Sequence, residues 1–590
     1  MASRRRRGAA KDQSAPEERA PPADEQPSAT DAVDTSDADA GDAGDADAGD
    51  TSDADAEAEE ESQSDPPAEE PQGLRAWLAG APLSKEFSLL LGLVAPAIVL
   101  ALNMWRVRSF TIDDAYISFR YARNLARGLG LVYNPGERIE GYTNFLWTLL
   151  LAGGIALGID PDVLAKVLGA ACAFGALGLT WILGARFRPY SNFPCVATWL
   201  LASTIVFTGY SIFGLETALF VFLILLGTEL MFREEPAYAA EPGAASTPGS
   251  DVLAAPWYRR LPYSGVVFGF AGLTRPEAPM FVGLLMLFLG RGMIARRNLL
   301  RAALFVAPVG AHMLWRHSYY GTWLPNTLSA KTGNLSGQLA SGWEYVQSYF
   351  THAGVLVWLA LFGVALGIVA RRRDVLAVST LAAAVIGYVC LVGGDWMPFF
   401  RFMSPFEPFC FLLVDLAART IIERRERAAN LAILAFGVAM LVHRIDNIRD
   451  AQRSITNKEE RFWRMAAGGT ARWLNNNGVP GEVAMGDIGY VGYSTDYPVL
   501  DLLGLVDPVI SKLPGGYTRK LGPGFTDRFF DKAPMYFLLI SSNMDCQKPS
   551  VPGSQHIYND KRFRGRYEVA GKVPLDDGFA WCIYRKRPGI

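Results

Sequence analysis

Two adjacent carboxylates, Asp113 and Asp114, open the stretch 109–147, SFTIDDAYISFRYARNLARGLGLVYNPGERIEGYTNFLW. Close like charges raise the pKa of one partner, which suits a general base, and the second carboxylate can then bind a sugar hydroxyl or a metal. The same pair would also serve to start a helix near Ala115, because Asp is favoured at helix N-termini and complements the helix dipole. Both readings stand on the residues alone.

The segment after the pair is basic and amphipathic. Arg120, Arg123 and Arg127 fall on one helical face beside an apolar stripe of Ile117, Tyr121 and Leu125, so the segment is expected to lie flat at a membrane interface, its arginines either meeting a lipid phosphate or snorkelling. Asn134-Pro135-Gly136 is a turn, after which Glu137, Arg138, Glu140, Tyr142, Thr143 and Asn144 bring polar groups to the mouth of the next helix. Three further sets join them. Glu216 (GLET) and Arg275 with Glu277 (LTRPE) are charges in or beside apolar runs, candidates for function or for a structural ion pair. Asn326 and Lys331 (WLPNTLSAKTG) and Asp395, Trp396 and Arg401 (GGDWMPFFRF) lie in two loops, where Lys331 and Arg401 would suit a phosphate leaving group or anchor the loops at headgroups.

These residues need a scaffold, and composition supplies its class. The chain has 590 residues and is 50% hydrophobic, yet its first eighty residues are almost all polar or small. The apolar content is therefore concentrated between residues 87 and 445, the signature of a polytopic α-helical membrane protein with about 11–13 transmembrane helices. Residues 1–72, with Arg4 to Arg7, an Asp/Ala/Gly repeat over 31–55 and Glu59 to Glu61, read as a disordered acidic tail with no secretory signal. The net charge of -3 averages this tail with a basic remainder and says little about partners. Residues 73–445 are the membrane domain, with the candidate active-site loop at 106–144.

Orientation comes from basic loops. Arg291, Arg296, Arg297 and Arg301, then Arg371 to Arg373, then Arg419, Arg424, Arg425 and Arg427 should face the cytoplasm. The N-terminus is then cytoplasmic, and Asp113, residues 319–351, residues 393–401 and everything after about Arg444 lie on the far side. That arrangement needs an odd number of passes where the apolar runs give about twelve, so one pass is missed or re-entrant, and 159–232 is the place to look for it.

From residue 446 the pattern changes. An amphipathic helix over 457–475 with Trp463 and Trp473 precedes β-rich stretches at 483–493, 498–505, 535–541, 567–573 and 580–584, which predicts a soluble extracytoplasmic α/β or α+β domain over 446–590. No GxxxxGK[ST] loop or HExxH motif occurs, so a P-loop nucleotide site and a zincin site are excluded. Of six cysteines, Cys172, Cys195, Cys390 and Cys410 lie in or beside apolar runs. Cys546 and Cys582 could pair if their domain faces an oxidising compartment, or be unrelated thiols.

The first helix, the DDAYISFRYARNLARGLGLVYNPGERIEGYTNFLW block and the GLET, TRPE, PNT and GGDW stretches together resemble the GT-C-fold glycosyltransferases that use polyprenyl-phosphate sugars. The similarity is nearest to the terminal β-(1→2)-arabinofuranosyltransferase-like group and covers about residues 85–590. The resemblance implies inverting transfer to a cell-envelope glycan, lipid or protein acceptor on the extracytoplasmic side of the cytoplasmic membrane, with Asp113 as the base and Asp114 in the place of a second acid. Arg120, Arg123, Glu140, Tyr142, Asn144, Glu216, Arg275, Asn326, Lys331, Asp395 and Arg401 are then the candidate substrate-binding residues. No nucleotide and no tightly bound cofactor is required, because the lipid carries the activated sugar; a divalent metal would have Asp113, Asp114, Glu216 and Asp395 as oxygen ligands, but their spacing does not demand one. Two other classes remain open on the sequence: a transporter or flippase of lipid-linked sugar, and a non-enzymatic envelope assembly factor.

Overall fold

The computed structural model describes residues 85–187, 195–235, 261–289, 294–331, 335–422, 427–455, 460, 462–515, 520, 524–575 and 578–589. The acidic tail, Arg291, Arg424 and Arg425 lie outside the described residues. All described residues belong to one compact unit, so the membrane part and the C-terminal part are not separate bodies.

Helix α1 (Glu86–Arg106) is long and apolar enough to cross a bilayer. It hands over to α2 (Asp113–Ala126), whose first turn carries the two aspartates. A loop over 127–144 leads to α3 (Phe145–Ala156). Helix α4 (Pro161–Arg186) starts with Pro161 in its first turn and Asp160 capping the amides of Asp162 and Val163. Then come α5 (Val196–Ala202), α6 (Ile205–Ile212) and α7 (Thr217–Glu234). Helices α6 and α7 form a bent pair, 113° apart, within the 159–232 stretch where the sequence asks for an irregular pass.

The second half runs through α8 (Tyr263–Thr274), α9 (Ala278–Leu289), α10 (Arg296–Tyr320) and the short α11 (Asn326–Lys331). A second bent pair, α12 (Leu335–Ala353) with α13 (Val355–Val369), turns through 96°. Helices α14 (Arg373–Val392), α15 (Phe406–Ile422) and α16 (Arg427–Ser454) complete this part. Among the described residues three helices, α1, α4 and α14, can span by length and composition, or five spans result if each bent pair counts as one. That number is lower than the sequence reading of about 11–13, because several apolar runs fold as helices of 10–17 residues. Where helices touch, small residues let backbones close in: a Cβ on Gly363 would collide with the Leu413 carbonyl oxygen.

The C-terminal part begins with helical turns ending in α17 (Gly468–Asn477). Strand β1 (Val483–Met485) is followed by α18 (Tyr490–Ser494) and β2 (Val499–Asp501). The expected strand over 483–493 thus stops early, because Gly486 and Gly489 interrupt it and the chain turns into a helix. Next are α19 (Phe525–Lys532), β3 (Tyr536–Ser541), α20 (Pro552–Asn559), α21 (Lys561–Arg566), β4 (Tyr567–Pro574) and β5 (Ala580–Lys586). The sheet order is β2-β1-β3-β5-β4, parallel from β2 to β3 and antiparallel from β3 to β4.

Alternation divides the sheet into two faces. Phe537, Leu539, Cys582 and Tyr584 pack with Phe529 and Phe563, whereas Tyr536, Leu538, Trp581 and Ile583 share a core with Ile117, Tyr121, Tyr133 and Tyr142. The apolar stripe of α2 is therefore not laid on a lipid interface. It is the other half of the sheet's hydrophobic core, with Tyr121 fully buried.

Candidate active site

The carboxylate of Asp113 is buried and accepts two amides of the C-terminal domain, Gly489 N at 3.0 Å and Tyr490 N at 2.6 Å. Burial, then the neighbouring charges of Asp487 and Asp114, raise its pKa well above the carboxylate norm, while the two amides oppose that rise. Asp113 is thus a fastening between α2 and the turn before α18. The sequence reading of Asp113 as a base did not include this backbone anchorage, which takes one acceptor site on each of its oxygens.

Asp114 differs. No donor among the described residues bonds to its half-buried carboxylate. Burial raises its pKa, Lys331 and Arg401 oppose the rise, and Asp395 and Glu216 add to it. One carboxylate is therefore surrounded by four of the charged residues singled out in the sequence, drawn from α11, the 395–403 turn and the α6–α7 break. Arg401 Nε lies 2.7 Å from Asp395 Oδ2. Glu216 accepts from Asn144 Nδ2 at 2.9 Å and from Arg275 at 3.0 Å, and Arg275 also holds Glu277 at 2.5 Å. Asn144 in turn bonds Ser118, one turn along α2 from Asp114. Glu216 and Arg275 thus form the buried ion pair that the sequence offered as the structural alternative, with Glu216 close enough for its charge to act on Asp114.

The remaining expected ligands are placed elsewhere. Arg120, 1% exposed, donates to the carbonyls of Tyr133 at 2.9 Å, Gly492 at 2.5 Å and Tyr497 at 2.8 Å, and lies over the Tyr133 ring. Arg123 donates to the Tyr493 carbonyl at 2.6 Å and pairs with Asp496 at 3.2 Å. Both arginines face the C-terminal domain, which corrects their expected contact with a lipid phosphate. Glu140 pairs with Arg316 at 2.6 Å, and burial lifts its pKa to about 7 despite that partner. Tyr142 meets Tyr320 hydroxyl to hydroxyl at 3.3 Å. Asn326 donates to the carbonyls of Gly504 and Leu505. Arg120 and Arg123 thus fasten α2, and Asn326 fastens α11, to the C-terminal part, while Glu140 and Tyr142 tie the 127–144 loop to α10.

Sequence reasoning missed Asp487. It sits between β1 and α18 in GDIGY, and its charge acts on both Asp113 and Asp114. An Asp flanked by glycines just after a strand was the available signal. Among the described residues no three His, Cys, Asp or Glu side chains form a metal-binding group.

Solved structures share this architecture. The chain superposes on the archaeal oligosaccharyltransferase AglB from Archaeoglobus fulgidus, in complex with an inhibitory peptide and a dolichol-phosphate, with a TM-score of 0.52 and 13% identity over 77% of this chain and 69% of that one. For ArnT from Cupriavidus metallidurans, bound to undecaprenyl phosphate, the TM-score is 0.50 and the identity 13% over 82% of this chain and 96% of that one. The chain has the GT-C fold. With its apolar spanning helices, a GT-C chain is a membrane protein. In sequence it is similar to the terminal β-(1→2)-arabinofuranosyltransferases of Mycobacterium tuberculosis, 29% identical over 304 residues (48% of this chain, 45% of the relative), and Corynebacterium glutamicum, 25% identical over 347 residues (52% and 49%). The GT-C chain spans about half the length of these relatives. Residues 447–584 match a family described as a domain of unknown function, DUF8728.

Proposed function

We propose that this GT-C protein is an inverting glycosyltransferase that moves a sugar from a polyprenyl-phosphate donor to a hydroxyl of an envelope acceptor on the extracytoplasmic side. The observation that carries the reading is Asp114, a carboxylate with no bonded donor among the described residues, facing Lys331 and Arg401. An acceptor O–H gives its proton to Asp114 as its oxygen forms a bond to the anomeric carbon. The bond from that carbon to the phosphate oxygen breaks, and its electron pair leaves with the polyprenyl phosphate. Lys331 and Arg401 stabilise the charge that develops there.

Sidedness is supported by two features. Helix α7 runs from Glu216, at the Asp114 centre, to Glu234, which pairs with Arg301 at 3.1 Å. Arg301, and with it the 291–301 basic cluster, thus marks the end of α7 opposite the candidate site, as expected for a cytoplasmic face. Cys546 and Cys582 form a disulfide, which suits an oxidising, extracytoplasmic location for the C-terminal domain.

The test is release of polyprenyl phosphate by the purified protein from a panel of synthetic polyprenyl-phosphate sugars, comparing the parent with Asp114→Asn. Release abolished by the substitution supports the reading. No release from any donor, or release that ignores the substitution, removes it.

A further inference from the structure

We propose that Asp487, carried by the C-terminal domain, is an acceptor-positioning residue that completes the reaction centre opposite Asp114. The inference rests on the glycosyltransferase reading above.

Its first support is the fixed geometry of the turn that carries Asp487. The Ile488 carbonyl accepts from the Tyr133 hydroxyl, the amides of Gly489 and Tyr490 bind Asp113, and the Gly492 carbonyl takes Arg120. The approach is close enough that a Cβ on Gly489 would collide with the Asp113 carbonyl oxygen. The turn is therefore held at the head of α2 by the residues that directly follow Asp487, while β1 ends two residues before it, and the side chain is delivered there without being used for the fastening. No donor among the described residues bonds to the Asp487 carboxylate.

The second support is a cleft. A cavity of 370 Å³ is lined by Asp487, Leu503, Lys520, Ser550, Ser554 and Trp581, among others. It lies beyond the carboxyl ends of β1 and β2, where α/β sheets characteristically receive ligands. Lys520 does not neutralise Asp487 there, because its ammonium is held by the carbonyls of Ser511 at 2.8 Å and Leu513 at 2.9 Å. Asp487 is thus shared between the cleft and the reaction centre. A hydroxyl-bearing chain lying in the cleft would present its end between two carboxylates, one to orient it and one to take its proton.

The charges around the pair are defined. Asp114 faces Asp113 on its own helix, Lys331 on α11, Asp395 and Arg401 on the 395–403 turn and Glu216 at the α6–α7 break, while Asp487 faces Asp113 and Asp114. The charge of Asp114 raises the pKa of Asp487, and the repulsion is mutual, so a neutral residue at 487 is expected to ease ionisation of Asp114 and move the acid limb of the transfer reaction to lower pH.

The experiment compares full-length parent, Asp487→Asn and Asp487→Ala with a polyprenyl-phosphate sugar that the parent uses. Expected for both variants are a fall of about tenfold or more in kcat/KM for the acceptor and an acid limb displaced to lower pH. Binding of polyprenyl phosphate and Tm should stay at parental values. Parental acceptor kinetics with an unmoved acid limb would overturn the proposal. So would a lowered Tm in both variants, which would assign Asp487 to the fold. A parent silent with every donor sinks the glycosyltransferase reading itself, and this inference with it.

Discussion

Asp113 Oδ1 receives the backbone amide of Tyr490 at 2.6 Å, joining the first residue of α2 to the first residue of α18. The neighbouring Asp114 makes no such bond and looks instead toward Lys331 and Arg401. One dipeptide therefore divides its labour, one acid holding the C-terminal domain and the other left open for chemistry.

That division predicts opposite phenotypes. Asp114→Asn should lower kcat by about a hundredfold or more while Tm holds. Asp113→Ala leaves two buried amides without acceptors and should cost roughly 2–5 kcal/mol of stability, read by thermal unfolding. Gly489→Ala should resemble Asp113→Ala, because the added methyl has no room beside Asp113. Equal loss of Tm in Asp114→Asn and Asp113→Ala would sink the assignment.

Arg120 should behave as a fastening. Arg120→Met abandons three backbone carbonyls. We expect a destabilisation of about 3 kcal/mol or more and faster proteolysis between the membrane part and the sheet, with donor lipid binding retained. A variant of parental stability that has lost affinity for polyprenyl phosphate would restore the lipid-phosphate role expected from the sequence.

The Cys546–Cys582 bridge closes a loop with a sequence separation of 36. Replacing both by Ser should remove about 3–4 kcal/mol. In intact cells an impermeant maleimide should label these cysteines only after reduction. Labelling that requires permeabilised cells would place the C-terminal domain on the cytoplasmic side.

Activity and stability should respond to pH in opposite senses. Asp114 acts as a base only when ionised and its pKa is raised, so transfer is lost as pH falls through that raised value. Burial lifts Asp501 from an ordinary 3.8 to about 7, so between these values the folded chain binds more protons than the unfolded one, and this residue's contribution weakens as pH rises. Asp501→Asn should flatten the decline of Tm between about pH 5 and pH 8. An unchanged slope would show that Asp501 does not control it.

The helical membrane class and the βαβ-like tail could be read from where apolar runs end and alternation begins. The charged cluster was legible too, since Glu216, Arg275, Lys331, Asp395 and Arg401 each break an apolar or loop context. The Glu216–Arg275 ion pair was among the alternatives the sequence offered, but the convergence of these residues with Lys331, Asp395 and Arg401 was not, because it depends on helices returning to one end of the bundle. The arginines of α2 misled for a definite reason. An amphipathic helix shows only that something apolar and something polar cover it, and a packed domain whose loop and helix-end carbonyls are free satisfies Arg120 while its sheet covers Ile117 and Tyr121, as well as a membrane interface would. Asp487 was missed because a single acid in a turn has no periodicity, and the glycines around it mark only the turn.

The fastening at Asp113 joins residues 376 positions apart. At ordinary rates of protein synthesis, roughly 5–20 residues per second, the ribosome needs about 20–75 s to make the second half of that contact after the first. Throughout that interval Ile117, Tyr121 and Arg120 have emerged without the surface that will cover them. Biogenesis of this protein thus includes a waiting period in which a nascent helix must be shielded, by the bilayer surface or by a chaperone, until the last domain arrives.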